Sequence, residues 1–246
     1  MDILNDSEIK RFWEDGYLVF ERLIPETDLE HYITIFNEMV RHANNLENHA
    51  GAYSLELDKN NVAIPQRLHK VQGVCVADPR ILALAEHKEI LDRIEEFTGP
   101  DIDVFGTKFF PKLPGGGTST NWHQDNFYFG TNSSKIISCG IYLQDADEEN
   151  GCLQVIPRSH LKKQIREHSP HSGRHGSWTQ VDDALRQTLP VPAGSVVLFS
   201  ANLLHGAVDN TSHTRARYST AWHYIPSNLS LEKFPRGVFK DRHTVR

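Results

Sequence analysis

The chain of 246 residues is poor in cysteine, in long apolar runs and in net positive charge, and each shortage excludes something. Its three cysteines, Cys75, Cys139 and Cys152, are odd in number and far apart. Neither a disulfide framework nor a thiolate metal cluster is therefore expected, and buried free thiols in a reducing, cytoplasmic setting fit better. No apolar stretch approaches the roughly 20 residues of a membrane span. The opening MDILNDSEIKRFWEDG is charged throughout, unlike a secretory signal. Lys and Arg number 26 against 32 Asp and Glu, a formal net charge of −6. That balance argues against binding a nucleic-acid backbone or an anionic membrane surface and leaves a small molecule as the expected partner. Internal repeats and low-complexity linkers are missing, and oligomeric state is not legible. What is present is ordinary globular composition, 39% hydrophobic and 24% charged, long enough for one domain over 1–246 with a substantial core. Fourteen histidines exceed expectation, and the chemistry is sought among them.

The first hundred residues read mainly as helices that frame the rest of the chain. Asn5 and Glu8 have capping-box spacing ahead of Phe12 and Trp13. Gly16 ends that stretch, and Tyr17-Leu18-Val19-Phe20 reads as a strand. Pro25 suits the first turn of a longer helix in which Leu29, Ile33, Phe36 and Val40 recur at helical spacing. Residues 46–73 are polar and poorly periodic. Another helix is expected over 78–97, with Ile81, Leu84, Ile90, Leu91 and Ile94 inward and Thr98-Gly99-Pro100 as its stop. Beyond residue 100, short apolar or alternating stretches lie between Gly, Pro, Asn and Asp clusters. Strands are expected near 103–110, 135–143, 151–157, 194–200 and 216–225, with 123–128 as a further one. The architecture is therefore mainly β with N-terminal helices, a sandwich or barrel over about 101–230. Residues 161–189, polar and rich in His, Gly and Ser, read as a lid loop.

The sharpest local feature is Trp122-His123-Gln124-Asp125. In an extended segment His123 and Asp125 project from one face, because strand side chains alternate. An imidazole and a carboxylate so placed can take two adjacent positions on a metal. A histidine from a distant strand would complete a facial triad with three open positions, which iron(II) oxygenases need. With 14 histidines about one His-x-Asp is expected by chance, so the tripeptide alone is weak. Its context is stronger. Gly194-Ser195-Val196-Val197-Leu198-Phe199-Ser200 has a buried-strand pattern and leads to His205, 80 positions after Asp125. A later strand carries Arg215 and Arg217 on one face, where arginine is costly unless paired. A dicarboxylate cosubstrate suits a guanidinium fork. The plain alternatives are a surface His-x-Asp and two exposed arginines on an edge strand.

Four stretches in order, WHQD (122–125), ENGCLQVIPRSH (149–160), AGSVVLFSANLLHGAVDN (193–210) and RYS (217–219), resemble the phytanoyl-CoA dioxygenase family. The opening DGYLVFERLIP (15–25) is similar to that family too, so the resemblance covers nearly the whole chain. It implies a double-stranded β-helix (jelly roll, cupin-like), with Fe(II) as cofactor and 2-oxoglutarate and O2 as cosubstrates. It implies His123, Asp125 and His205 as catalytic metal ligands. It also implies Arg217 as the anchor for the distal carboxylate of 2-oxoglutarate, with Arg215 as the fallback because the spacing from His205 is one residue longer than the family's. Two positions depart from the family. Ala207 stands where serine or threonine is common, and Gly140-Ile141-Tyr142 lacks a common tryptophan. Asp125 itself argues against halogenation, for which halogenating relatives carry a small residue. The implied reaction is oxidation, usually hydroxylation, of an unactivated C–H bond in a small molecule, with release of succinate and CO2. The rivals are a non-oxidative cupin-like metalloenzyme and a catalytically silent binding module. Trp122 and Phe127 are candidates for a substrate cavity, though such aromatics are more often core. Lys108 and Lys112 are candidates for meeting a substrate acid or the cosubstrate, or else a solvated strand end. His168, His171 and His175 crowd one loop, where a solvated lid is the better reading than a metal site.

Overall fold

In the computed structural model, which describes residues 3–162, 164–171 and 176–246, the first element is α1 (Asp6–Asp15). Its start is the expected capping box: the Asn5 side chain accepts from the Glu8 N–H at 3.0 Å, and the Glu8 carboxylate accepts from the Asn5 N–H at 3.0 Å. Gly16 ends it at φ 92°, a conformation that favours glycine. The turn feeds β1 (Tyr17–Phe20), followed by α2 (Glu26–Ala43), β2 (Tyr53–Leu57) and β3 (Ala63–Gln72). Short helical turns α3 (Val74–Ala77) and α4 (Leu82–Ala85) lead to α5 (Lys88–Thr98).

Two expectations fail in this region. Residues 46–73 hold β2 and β3 rather than irregular chain. Their pairing shifts register twice, and Gln66 takes φ 64° after Pro65, so bulged strands at the end of the sheet leave no regular period in the sequence. The helix expected over 78–97 is interrupted at Glu86-His87. Continuing from Leu84, a helix would turn His87 and Lys88 inward. By restarting, the chain leaves the Lys88 side chain 77% exposed.

The remainder is β4 (Ile102–Phe110), β5 (Thr120–His123), α6 (Asp125–Phe129), β6 (Ile137–Tyr142), β7 (Leu153–Val155), β8 (Ser169–Pro170), β9 (Ser177–Trp178), β10 (Gln187–Leu189), β11 (Val196–Ser200), β12 (His205–Ala207), β13 (Ser219–Pro226) and β14 (Arg242–Thr244). The large antiparallel sheet runs β1-β11-β6-β13-β4-β3-β2, with β14 also on β4, and a smaller one runs β10-β7-β12-β5. This is the jelly roll that the resemblance implies, mainly β with N-terminal helices.

Strand alternation decides what each layer contains. Along β11, Val196 and Leu198 join the core beneath the helices, while Val197 and Phe199 join the core between the sheets. On the helix side Phe36 stacks on Phe109 at 4.2 Å, and the buried Tyr224 hydroxyl donates to the Ala85 carbonyl at 2.8 Å. Each such large apolar side chain contributes roughly 1.5–3 kcal/mol when fully buried. The opposite face of the same strands carries Ser138, Gly140 and Tyr142 of β6, and Ser219, Ala221 and His223 of β13, all lining a cavity. One side of the large sheet is thus built for stability, and the other brings Ser138, Ser219 and His223 into a mainly apolar cavity. Cys75, Cys139 and Cys152 are buried and unpaired. Among the described residues no helix is long and apolar enough to cross a membrane.

Candidate metal centre and its cavity

β5 and β12 are antiparallel neighbours in the smaller sheet, and their register sets His123 directly opposite His205. The two rings lie 4.2 Å apart, although 82 positions separate the residues (205 minus 123). Asp125 comes in from the end of β5, and here the expected strand over 123–128 is corrected. Only His123 is in the strand. Gln124 keeps extended angles (φ −117°, ψ 131°), and Asp125 then opens α6, which Gly130 ends at φ 72°. The chain bends because Asn126 is held from outside its own segment. Its N–H donates to the Ala201 carbonyl at 3.0 Å, and its amide donates to Ser133 O at 2.8 Å and Asn202 Oδ1 at 2.7 Å. Gln124 alone preserves the alternation that places His123 and Asp125 on one side. Asp125 Oδ1 is 3.4 Å from His123 Nε2, and its Oδ2 is 3.7 Å from His205 Nε2. One ligand atom from each of the three residues lies within 4.8 Å of the others.

Hydrogen bonds fix the protonation states. His123 Nδ1 lies 2.7 Å from the Asn121 carbonyl, and His205 Nδ1 lies 3.0 Å from the Leu203 carbonyl. A carbonyl only accepts, so each Nδ1 carries a proton, which leaves Nε2 as the nitrogen that can face a metal. On the carboxylate side, Lys108 Nζ is 3.3 Å from His223 Nε2, His223 Nδ1 is 3.0 Å from Ser138 Oγ, and Ser138 Oγ is 2.7 Å from Asp125 Oδ2. An ammonium only donates, so the direction runs one way: Lys108 to His223, His223 to Ser138, Ser138 to Asp125. Burial alone would raise the Asp125 carboxyl, but the facing imidazoles of His223, His205 and His123 hold it well below the usual carboxylate range. Burial pushes His205 down to about 4 and His223 to about 3. A carboxylate kept ionised beside imidazoles whose Nε2 atoms face it is the arrangement that a divalent metal requires. This nitrogen–nitrogen–oxygen donor set fits Fe(II) with open positions towards the cavity.

The cavity, about 310 Å³, also contains Arg217. This residue is 4% exposed, its Nη1 donates to the Ser219 hydroxyl, and its guanidinium stands 5.7 Å over the Tyr142 ring. Its Nε has no partner, and among the described residues no carboxylate is paired with it. Arg215 is different. It donates to Asp147 Oδ2 at 2.7 Å and Glu149 Oε2 at 2.5 Å, with its side chain 41% exposed. The two arginines therefore do not share a strand face. β13 begins only at Ser219, and ahead of it Arg215 is drawn to acids on the surface while the Arg217 N–H donates to the Lys112 carbonyl at 3.2 Å. Ala207 lines the cavity without a hydroxyl, whereas Ser219 and Tyr142 stand beside Arg217 and offer oxygen atoms there.

Of the substrate candidates, Lys108 lines the cavity and Trp122 and Phe127 do not. Phe127 stacks on His168 at 4.1 Å, and the Trp122 carbonyl accepts from the Thr179 N–H at 2.8 Å. Both hold the segment 161–189 in place. That segment is not bare loop: β8 and β9 form a small hairpin whose Ser177 N–H donates to the Tyr128 hydroxyl at 2.9 Å, and Gly176 and Ser177 reach the cavity. His168 accepts from the Gln124 N–H at 3.1 Å and places its other nitrogen 2.8 Å from the Arg166 carbonyl. Both of its nitrogens are engaged, which makes it a pin rather than a metal ligand. His171 packs against Trp178, and His175 lies outside the described residues. Sequence reasoning missed Ser138, Tyr142 and His223. A serine, a tyrosine and a histidine scattered on strands form no motif, and only their cavity-facing parity could have found them.

Comparison with known proteins gives a consistent result. Residues 12–218 match the phytanoyl-CoA dioxygenase (PhyH) family. The peroxisomal phytanoyl-CoA dioxygenase of Homo sapiens is 27% identical over 221 residues, which are 85% of this chain and 65% of that protein. The probable alpha-ketoglutarate-dependent hypophosphite dioxygenase of Stutzerimonas stutzeri is 26% identical over 170 residues, 66% of this chain and 59% of that protein. The chain thus spans less than two thirds of the length of either relative. In fold it is similar to EctD from S. alaskensis, solved with 2-oxoglutarate and 5-hydroxyectoine, with a TM-score of 0.74 and 17% identity over 96% of this chain and 83% of that one.

Proposed function

The chain belongs to the phytanoyl-CoA dioxygenase family, and on that premise we propose that it is an Fe(II)- and 2-oxoglutarate-dependent dioxygenase that hydroxylates a small organic molecule. We assign His123, Asp125 and His205 as the metal ligands and Arg217 as the carboxylate anchor, with residues 1–246 acting as one catalytic unit. One observation carries the reading: a three-residue candidate metal site and a buried arginine with no paired carboxylate among the described residues open into the same cavity. Fe(II) with 2-oxoglutarate and O2 supplies the oxidising power, by which an unactivated C–H bond is hydroxylated as the cosubstrate becomes succinate and CO2.

The chain's own residues bind and orient. His123 and His205 present Nε2 because their Nδ1 protons are committed to backbone carbonyls. Ser138 holds the Asp125 carboxylate in place. Arg217, fixed by Ser219 and Tyr142, has fork donors left for a carboxylate, which would compensate a charge that is otherwise costly to bury. The hairpin of β8 and β9 narrows the mouth through Gly176 and Ser177, limiting water. A volume of about 310 Å³ is at the small end of ligand pockets and must hold cosubstrate and substrate together, so only a small substrate, or the reacting end of a larger one, enters. A non-oxidative metalloenzyme would have no use for Arg217, and a silent module none for a protonation state suited to metal.

The test is anaerobic titration of the Fe(II)-loaded protein with 2-oxoglutarate, following the weak visible absorption that the pair produces. Its appearance in the wild type and its loss in His123→Ala, Asp125→Ala and His205→Ala is the expected result. Folded, iron-loaded wild type that gives no such absorption would overturn the proposed function.

A further inference from the structure

Lys108 is a second cation of the cavity with no paired carboxylate among the described residues. Its ammonium has three protons to donate, and the protein accepts two of them, at the Gly106 carbonyl (2.9 Å) and His223 Nε2 (3.3 Å). No carboxylate is paired with it among the described residues. Asp125 is committed to Ser138 and the histidines, and Asp241 is occupied by the Thr107 N–H and hydroxyl, each at 2.6 Å. The third proton is left for whatever fills the cavity, which Lys108 lines.

Its position separates it from the Arg217 end. On the inner face of the large sheet Ser219 pairs with Phe110, Ala221 with Lys108 and His223 with Phe105. Arg217 donates to Ser219, whereas Lys108 reaches the other way, to Gly106 and His223. Four residues of strand, about 13 Å, separate Ser219 from His223, and Asp125 approaches the sheet at the His223 end. A cosubstrate held by Arg217 extends from the Ser219 end towards the metal ligands, so the Lys108 ammonium stands beyond it. Lys70 is not equivalent. Because Val71 pairs with Phe109, it lies level with Phe110, at the Arg217 end. Near Lys108 the cavity is lined by Phe129 and Phe234, whose rings lie 5.5 Å apart, together with the polar Gln72, its partner across the sheet.

We propose that Lys108 is the substrate anchor: it receives the anionic group of a small organic acid whose apolar body lies against Phe129 and Phe234 beside the metal ligands. This rests on the proposed function and names the class of its substrate, an acid with a carboxylate or comparable small oxyanion. An ammonium donating into a water-poor cavity discriminates strongly between an anion and its neutral isostere.

The test uses protein loaded with zinc(II), which does not turn over, saturated with 2-oxoglutarate. It is titrated calorimetrically with matched carboxylic acids and amides from propanoate and propanamide to octanoate and octanamide. Wild type is expected to bind at least one acid about tenfold or more tighter than its amide. Lys108→Met loses that preference and Lys108→Arg keeps it, each titrated after its zinc(II) and 2-oxoglutarate loading has been brought to the wild-type level. Lys108→Gln replaces Lys108→Met if the latter does not fold. An acid preference that is missing in wild type, or that survives Lys108→Met, overturns the inference. So does a tenfold loss of 2-oxoglutarate affinity in Lys108→Met, which would give the ammonium to the cosubstrate. Failure of the wild type to bind 2-oxoglutarate at all would remove the proposed function instead. The acid–amide comparison in an Arg217→Met background would still decide the role of Lys108.

Discussion

Asp125 is the charge around which the centre is arranged, and its neighbours act by how they donate. Ser138 gives its hydroxyl proton to Oδ2 at 2.7 Å and is itself held by His223. Ser138→Ala removes that donor without touching a ligand. Metal affinity is expected to fall about tenfold, measured by competition with a chelator; an unchanged affinity would deny the relay any part in holding the carboxylate. The two arginines make a sharper pair. Arg217→Met takes away a buried fork and should weaken 2-oxoglutarate binding about a hundredfold. Arg215→Met breaks a surface pair with Asp147 and Glu149 and should weaken it by less than about threefold. The reverse ranking in an anaerobic titration would reassign the anchor. His205 adds a pH dependence. Burial lowers it from 6.5 to about 4, so between those values the unfolded chain binds a proton that the folded chain does not. Stability of the metal-free protein should therefore drop as pH falls from about 6.5 towards 4, by about 3 kcal/mol from this group alone. Thermal melts across that range check it, and a flat profile contradicts it.

Elements succeed or fail as readings according to where their partners lie. The capping box of α1 and the Gly16 stop are local chemistry and were legible from the residues themselves. Gly16 also has a tertiary reason that was not: a Cβ there would come within 2.5 Å of His160 Nδ1. With φ at 92° as well, Gly16→Ala should cost about 2 kcal/mol or more in chemical denaturation. A loss under about 0.5 kcal/mol would mean that the joint between α1 and β1 relaxes freely. β2 and β3 were illegible because bulges break their alternation and the sheet beside them supplies what regularity they have. α6 was misread as strand because Phe127, Tyr128 and Phe129 carry strand propensity, whereas Asn126 is held by Ala201, Ser133 and Asn202. The element type was wrong, yet the His123–Asp125 geometry drawn from it survived, since only Gln124 needed to be extended.

At the scale of the whole molecule, the large sheet is covered on one side by helices and on the other encloses the cavity against the smaller sheet. The metal centre ties the two sheets together, since β5 and β12 belong to the smaller sheet while Ser138 and His223 belong to the larger. Metal binding should therefore stabilise the fold as a unit. A divalent metal at a hundred times its dissociation constant contributes about 2.7 kcal/mol by mass action and raises Tm accordingly. His205→Ala should abolish that rise. A shift of equal size in the variant would place the metal elsewhere.

The sequence by itself determined the residue chemistry and its order: His123 and Asp125 on one face of an extended segment, His205 after a buried strand, a cationic pair at 215 and 217, and a mainly β sandwich or barrel that the family resemblance narrowed to a jelly roll. Period-two alternation, capping and motif order are local, so they survive in one dimension. Only the tertiary structure decided which arginine enters the cavity, that Trp122 and Phe127 contact Thr179 and His168 beside the small hairpin, and that Ser138, His223 and Lys108 form a directed chain to Asp125. Each of these depends on strand register between residues tens of positions apart, and a one-residue slip would turn the same side chains to the opposite face.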